Sequence, residues 1–386
     1  MKREMNPQTQ LAHTGHDRTS HHGASSTPIY QVSTFHQTDP EHLGRYDYAR
    51  SDNPTREALE KAIAELEGGV RGFAFASGMA AVSSVLMTFS TGDHLVVGKD
   101  IYGGTHRVLT TVFRRWGLDY TFVDGSDPQR IEDAINSRTK ALYLETPSNP
   151  TMKITDLAAM GNLARERGLL AIADNTFMTP LLQRPFEFGF DIVLHSATKF
   201  IGGHSDLIAG LAVAKSEPEA QRLRHVQNAI GSILGPQDSW LTLRGLRTLG
   251  VRMVQQQKSA AALADWLEKR PEVKRVFYPA LSGHPGREVH FRQASGGGAI
   301  LSFELLDRTL AVNLLKRVRL PLVAVSLGGV ESILSYPATM SHAAMPASER
   351  EERGISESLL RLSVGLEAPE DLIADLERAL SESSTH

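Results

Sequence analysis

The sequence predicts an α/β fold: a mostly parallel sheet with helices on both faces, followed by a smaller α+β unit. Three observations carry this. Between residues 72 and 213, short apolar runs alternate with amphipathic segments of helical period. The runs are apolar throughout rather than at every second position, as in strands covered on both faces. Near residue 240 the alternation gives way to one long helical pattern and then to more widely spaced strands.

The elements follow in order. Residues 1–47, rich in His, Thr, Ser and Gln and poor in periodicity, read as an N-terminal arm. Asn53-Pro54 opens a helix, because proline suits the first helical position, and Gly68-Gly69 stops it. The expected strands are 72–76 (GFAFA), 94–97 (HLVV), 120–123 (YTFV), 140–145 (KALYLE), 169–173 (LLAIA), 190–195 (FDIVLH) and 207–213 (LIAGLAV). Expected helices include 79–89, 105–116, 128–136 and 156–167. A long helix over about 237–269 leads to VKRVFYP, GGAILSFEL, a helix near 309–317, LLRLSVGLE and a last helix near 369–381. The expected division is an arm at 1–47, a large domain at 48–240 and a small domain at 241–386.

Composition narrows the function. The chain has 386 residues, 41% hydrophobic and 22% charged, enough to bury a sizeable core. Its net charge of -3 gives no electrostatic footprint for nucleic acid or an anionic membrane. With no cysteine, thiolate metal sites and a cysteine nucleophile are excluded. The polar start MKREMNPQTQ lacks a signal-peptide core, and no apolar run reaches membrane-spanning length. The expectation is a soluble cytoplasmic protein with neither nucleic acid nor membrane as partner. The dinucleotide and P-loop glycine fingerprints, H-E-x-x-H and G-x-S-x-G are all missing.

Ligands of such folds bind beyond the carboxyl ends of the strands. Five polar segments stand there: SGMAA, KDIYGG, ETPSNP, ADNTF and SATKF. Lys199, in SATKF, would on its own be read as a solvated charge. Its neighbours Ser196 and Thr198 are hydroxyls suited to phosphate oxygens, and lysine condenses with aldehyde cofactors. That combination points to pyridoxal phosphate. The ring nitrogen of this cofactor needs a carboxylate, and Asp174 ends the preceding strand, although Asp-Asn-Thr is also good turn chemistry. Ser77-Gly78-Met79 opens a helix whose amides could cradle the phosphate, or is an ordinary glycine turn. Tyr102 could cover the ring, or be a core tyrosine.

On YARSDNPTR (48–56), ASGMAA (76–81), ETPSNP (145–150), DNTF (174–177), HSATKFIGGHSD (195–206), SLGGVES (326–332) and LLRLSVGLE (359–367), the chain resembles the Cys/Met-metabolism family of pyridoxal-phosphate enzymes. The likeness runs from about residue 9 to 381. Within the family it is strongest to the bacterial cystathionine β-lyases, particularly in SILSYPATMSHAAMP (332–346). The resemblance implies a PLP-dependent transferase-like fold, aspartate aminotransferase fold type I. It implies that Lys199 carries the cofactor, that Asp174 pairs with its ring nitrogen, and that Tyr102 stacks on the ring and assists proton transfer. Ser77, Gly78, Met79, Ser196 and Thr198 would bind phosphate, and Asn149 would touch the phenolic oxygen. Tyr48 and Arg50 would reach the phosphate of a neighbouring subunit, with the arm crossing to that subunit, in a homotetramer built from dimers that share active sites. Arg361 would grip the substrate carboxylate with help from Ser326.

The activity so implied is β-elimination of cystathionine to homocysteine, pyruvate and ammonia. The γ-synthase and γ-lyase groups often carry glutamate where this chain has Val325. Methionine γ-lyases carry cysteine where it has Gly104. Both departures favour β-elimination over the γ-reactions on the same scaffold. A catalytically silent pyridoxal-phosphate-binding protein is disfavoured by the intact set Lys199, Asp174, Tyr102 and Arg361.

Overall fold

A computed structural model describes residues 5–15, 19, 21–343 and 345–383. Its larger sheet has seven strands: β1 Arg71–Phe75, β2 His94–Gly98, β3 Asp119–Val123, β4 Thr139–Glu145, β5 Leu170–Asp174, β6 Ile192–Ser196 and β7 Gly210–Ala214. Their spatial order is β1-β7-β6-β5-β4-β2-β3. Each lies within a few residues of its expected place. All are parallel except β7, which runs against both β6 and β1. Every parallel neighbour needs a crossover. The connection from β6 to β7 holds no helix, so the chain returns in the opposite direction.

Side chains alternate between the two faces of the sheet. Val96, Leu142, Ala173, Val193 and Val213 face the helices Pro54–Glu67 and Leu157–Arg167. Phe75, Leu95, Val97, Ile172 and Leu194 face the helix Gly78–Leu86. Asn53 caps the first of these helices, its side chain accepting from the amides of Thr55 and Arg56, and Gly68 ends it in the left-handed conformation. The helix Glu217–Ile230 is not among the expected elements, because its mostly polar sequence carries few apolar positions. The helix expected over 105–116 stops at Thr111, and a 3₁₀ turn Phe113–Trp116 follows.

The second sheet has five strands, β8 Val273–Phe277, β9 Ile300–Leu305, β10 Leu322–Val323, β11 Ile333–Ser335 and β12 Leu359–Ser363, in the order β10-β11-β12-β9-β8. The two cores share the helix Pro236–Leu267. Its Leu243, Leu246, Leu249 and Met253 pack with the large sheet, and its Ala260, Leu263, Ala264 and Leu267 with the small one. The sequence-derived division at 240/241 thus falls inside a continuous helix. The arm is not wholly extended: Pro7–His13 is helical and buries Leu11 against the long helix. Of the last residues, Ser381–Ser383 continue the final helix, and 384–386 lie outside the described residues.

Arg252 joins the long helix to the segment that follows Lys199. It is buried and donates to the carbonyls of Phe200 (2.6 Å), Ile201 (3.4 Å) and Gly245 (2.8 Å), and to the Thr248 hydroxyl (3.0 Å). Arg252→Met removes these donors and leaves buried carbonyls unmet. The expected cost is about 2–4 kcal/mol of unfolding free energy, seen as a lower urea midpoint at unchanged slope. An unchanged midpoint would mean that the carbonyls find other donors.

Candidate active site

The carboxyl ends of β1, β2, β4, β5 and β6 open into a cavity of about 450 Å³ that is closed from the other side by residues 325–341 and Arg361. Ser77, Gly78, Met79, Tyr102, Asn149, Asp174, Ser196, Thr198, Lys199, Ser326 and Arg361 all line it. Tyr48 and Arg50 do not. Tyr48 is 45% exposed, and Arg50 donates to the Asn228 carbonyl (2.6 Å) and side chain (3.2 Å) of its own chain. Buried Arg56 donates to the carbonyls of Ala49, Arg50 and Ser51, so this segment is held firmly by its own subunit.

Ser77 caps the helix Gly78–Leu86, its hydroxyl accepting from the Ala80 amide at 3.0 Å. The first amides of a helix have no intrahelical acceptor and favour an anion. Gly78 lies so close to β6 that a Cβ there would sit 3.0 Å from both Cβ and Oγ of Ser196. The Thr198 hydroxyl is already engaged, donating to the Ala209 carbonyl (3.2 Å) and accepting from its amide (3.0 Å).

Asp174 is the last residue of β5. Its Oδ1 accepts from the Thr176 amide (3.1 Å) and hydroxyl (2.5 Å), and burial raises its pKa. Glu145 stands beside it in register at the end of β4. Burial, then the charges of Asp174 and Asp100, push Glu145 well above the usual carboxylate range, and it accepts the Tyr102 amide at 2.7 Å. The Tyr102 ring is 43% exposed toward the cavity.

Lys199 Nζ donates to Ser326 Oγ at 2.5 Å. Ser326 has φ 85, left-handed and strained for a serine. Two residues on, Gly328 approaches the Lys199 backbone so closely that a Cβ would lie 2.5 Å from the Phe200 nitrogen. Only glycine lets this turn reach the lysine. Arg361, on β12, is 3% exposed and donates to Asn149 Oδ1 (3.0 Å), the Ser326 carbonyl (2.7 Å) and Ser335 Oγ (3.1 Å), while Nε has no partner. Burial lowers its pKa to about 10. Burial, and then the charge of Arg361, lower Lys199 to about 8. The same surroundings push buried His342 down to about 4.

Sequence reasoning passes over Glu145, Thr176, His195 and Ser335, all of which line this cavity. Glu145 and Thr176 carry a signal, since each sits in a strand-end segment beside a singled-out residue. Ser335 carries none, because only the pairing of β11 with β12 sets it opposite Arg361.

The donor set fits pyridoxal phosphate. Helix amides with the Ser77 and Ser196 hydroxyls could hold the phosphate, Asp174 the ring nitrogen, Lys199 the aldehyde carbon and Tyr102 one ring face. Fold and site together define a pyridoxal-phosphate-dependent enzyme of the aspartate aminotransferase fold, type I. The chain belongs to the Cys/Met metabolism PLP-dependent enzyme family, which it matches over residues 8–381. It is 55% identical to cystathionine beta-lyase MetC of Bacillus subtilis, over 97% of this chain and 96% of that one. It is 48% identical to cystathionine gamma-lyase of the same organism, over 97% and 99%. A crystal structure of cystathionine gamma-lyase from Lactobacillus plantarum, complexed with L-serine, superposes with a TM-score of 0.96 at 46% identity, covering 98% of this chain and 100% of that one. Among the described residues, no helix is long and apolar enough to cross a membrane.

The depressed Lys199 gives a pH dependence with a defined sign. Only the neutral amine attacks an aldehyde, and a pKa near 8 leaves it half neutral there rather than near 10.5. Capture of pyridoxal phosphate by the cofactor-free protein is therefore expected to accelerate as pH rises through about 8 and then level off, read by absorbance after stopped-flow mixing. Arg361→Met should move that midpoint upward, since it removes a repelling cation. A midpoint unmoved by the variant would refute the coupling.

Proposed function

We propose that this chain is a carbon–sulfur lyase that cleaves L-cystathionine by β-elimination, giving homocysteine, pyruvate and ammonia. The observation that carries this reading is the convergence of Lys199 and Arg361 on Ser326, at 2.5 Å and 2.7 Å. It sets a weakly basic amine next to a buried cation whose Nε lacks a partner, as an α-amino acid requires. Arg361 binds the α-carboxylate through paired, charge-assisted hydrogen bonds. The Ser77, Gly78 and Met79 turn and the Ser196 hydroxyl would anchor the phosphate, joined by the Thr198 hydroxyl once it turns from the Ala209 carbonyl, and Asn149 would orient the ring at its phenolic oxygen.

Bound pyridoxal phosphate supplies the electron sink that makes the Cα proton removable. Lys199 would take that proton on Nζ as general base. Asp174 keeps the ring nitrogen protonated. Tyr102 covers the ring and passes a proton to the departing sulfur as the Cβ–S bond breaks. Homocysteine leaves as the thiol, and water converts the remaining three-carbon fragment to pyruvate and ammonia.

The γ-reactions on the same scaffold need a second proton removal, at Cβ. Val325 stands at the cavity mouth, 63% exposed, and offers no carboxylate to a distal substrate amine. Incubation with cystathionine should release pyruvate and homocysteine in equal amounts. Release of 2-oxobutyrate and cysteine without pyruvate would sink the β-elimination reading, and Lys199→Ala should abolish both.

In the proposed assembly, a cytoplasmic homotetramer of site-sharing dimers, Tyr48 and Arg50 complete the phosphate site of the neighbour. This reading is supported by their exposure and by their absence from the lining of their own chain's cavity. Arg50→Ala and Lys199→Ala should each be nearly inactive. Mixed after mild dissociation and reassembly, they should regain activity toward about one quarter of wild type, because mixed dimers hold one intact site of two. No recovery with proven mixed dimers would place Arg50 in its own subunit's site.

A further inference from the structure

A buried polar cluster behind Asp174 has no part in the chemistry above. β6 sets Leu194 in register with Asp174 and turns the next residue, His195, toward the opposite face. There His195 Nε2 lies 2.5 Å from Glu67 Oε1, and both side chains are fully buried. Asn175 Nδ2 donates to the same Glu67 oxygen (3.2 Å) and to the Gln183 carbonyl (2.8 Å), and Gln183 Nε2 donates back to Asn175 Oδ1 (3.0 Å). Three atoms of the cluster are left over: Glu67 Oε2, Gln183 Oε1 and His195 Nδ1 have no hydrogen-bond partner among the described residues. His195 is also among the residues at the cavity wall.

The charges around Asp174 explain why a histidine stands there. Glu145 faces it from β4, and Tyr143 lies behind on the same strand. Lys199 and Arg361 lie on the cavity side but are engaged with Ser326, Asn149 and Ser335. Among the described residues, the Thr176 amide and hydroxyl are its hydrogen-bond donors. Burial works against the Asp174 carboxylate; the Thr176 hydroxyl and amide work for it, and a positive charge on His195 would add to them. A carboxylate buried with one imidazole is itself costly unless the imidazole is charged.

We propose that Glu67 and His195 form a positioning pair behind Asp174: Glu67 holds the His195 ring as an imidazolium, and that cation keeps Asp174 an anion facing the cofactor's ring nitrogen. The proposal rests on the reading of Asp174 as the partner of that nitrogen. Charges then alternate through the sheet end, from Glu67 to His195 to Asp174 to the protonated ring. Without the imidazolium, Asp174 becomes the stronger base and draws the shared proton from the ring nitrogen onto itself.

The test uses the holoenzyme loaded with pyridoxal phosphate labelled with ¹⁵N in the ring. The wild type should show a protonated ring nitrogen, and Asp174→Asn should lose it. If the wild type is unprotonated, or if Asp174→Asn changes nothing, the reading of Asp174 itself fails. If both hold, His195→Gln and Glu67→Gln should each move the ¹⁵N resonance toward the unprotonated position and weaken cofactor binding about tenfold, as for a unit change in the Asp174 pKa. Glu67→Asp should keep the wild-type resonance. Folded variants with the wild-type resonance would make the pair purely structural and overturn the proposal. Should both glutamine variants fail to fold, wild-type enzyme labelled with ¹⁵N-histidine decides. One histidine must then keep both ring nitrogens protonated from about pH 6 to about pH 9, and its absence overturns the proposal.

Discussion

Arg361 is a buried cation with no carboxylate among its hydrogen-bond partners in the described residues, and the rest of the cavity is arranged around that fact. Its guanidinium is met by neutral acceptors from both sheets: Asn149 beyond β4, the Ser326 carbonyl, and Ser335 on β11. Neutral acceptors offset part of the desolvation cost without cancelling the charge. The remaining attraction is available to a ligand carboxylate. The same contacts pin residues 326–335 against the end of the large sheet, which brings the Ser326 hydroxyl to Lys199. Arg361 therefore sets the position of the base and, through repulsion, lowers its pKa as well.

A second constraint comes from the sheet. Parallel strands ending at one level set their last side chains side by side, so Glu145 and Asp174 meet in register. Two buried carboxylates so placed cannot both stay ionised at low cost. Their surroundings separate them. Glu145 accepts one backbone amide and is driven strongly toward its protonated form. Asp174 accepts two hydrogen bonds from Thr176 and has His195 on its protein side. One carboxyl thus serves to hold the Tyr102 turn, and the other stays available to a cationic ring.

Much of this was legible in the sequence, and the reason is local. Seven apolar runs gave seven strands, and the segments after five of them met in one cavity because parallel strands share a carboxyl end. Lys199, Asp174, Tyr102 and the Ser77 turn could be read from type and order alone. What could not be read depends on pairing between distant segments. Ser335 matters only because β11 lies beside β12. His195 reads as part of a strand until the helix Pro54–Glu67 delivers Glu67 to it. The reversal of β7 follows from a connection that lacks a helix. Tyr48 and Arg50 lie outside the cavity of their own chain, so the role that the resemblance gives them needs a second subunit.

The chain's likeness to both beta- and gamma-lyases follows from where the reactions part. Carboxylate grip, ring and base serve both, so the choice must fall on groups that meet the substrate beyond Cβ. Val325 offers that end of the cavity an apolar surface where a carboxylate would hold a distal ammonium. Gly104 acts through Tyr102: a Cβ at this position would lie 2.4 Å from the Tyr102 ring and 2.8 Å from Met79 Sδ. Any larger residue there must displace the Tyr102 ring or the Met79 side chain. On the proposed reading, glycine lets Tyr102 lie close over Met79 and the phosphate turn, where its hydroxyl reaches a sulfur on Cβ. On that reading the two positions act together, Val325 on the substrate's far end and Gly104 on the placement of Tyr102.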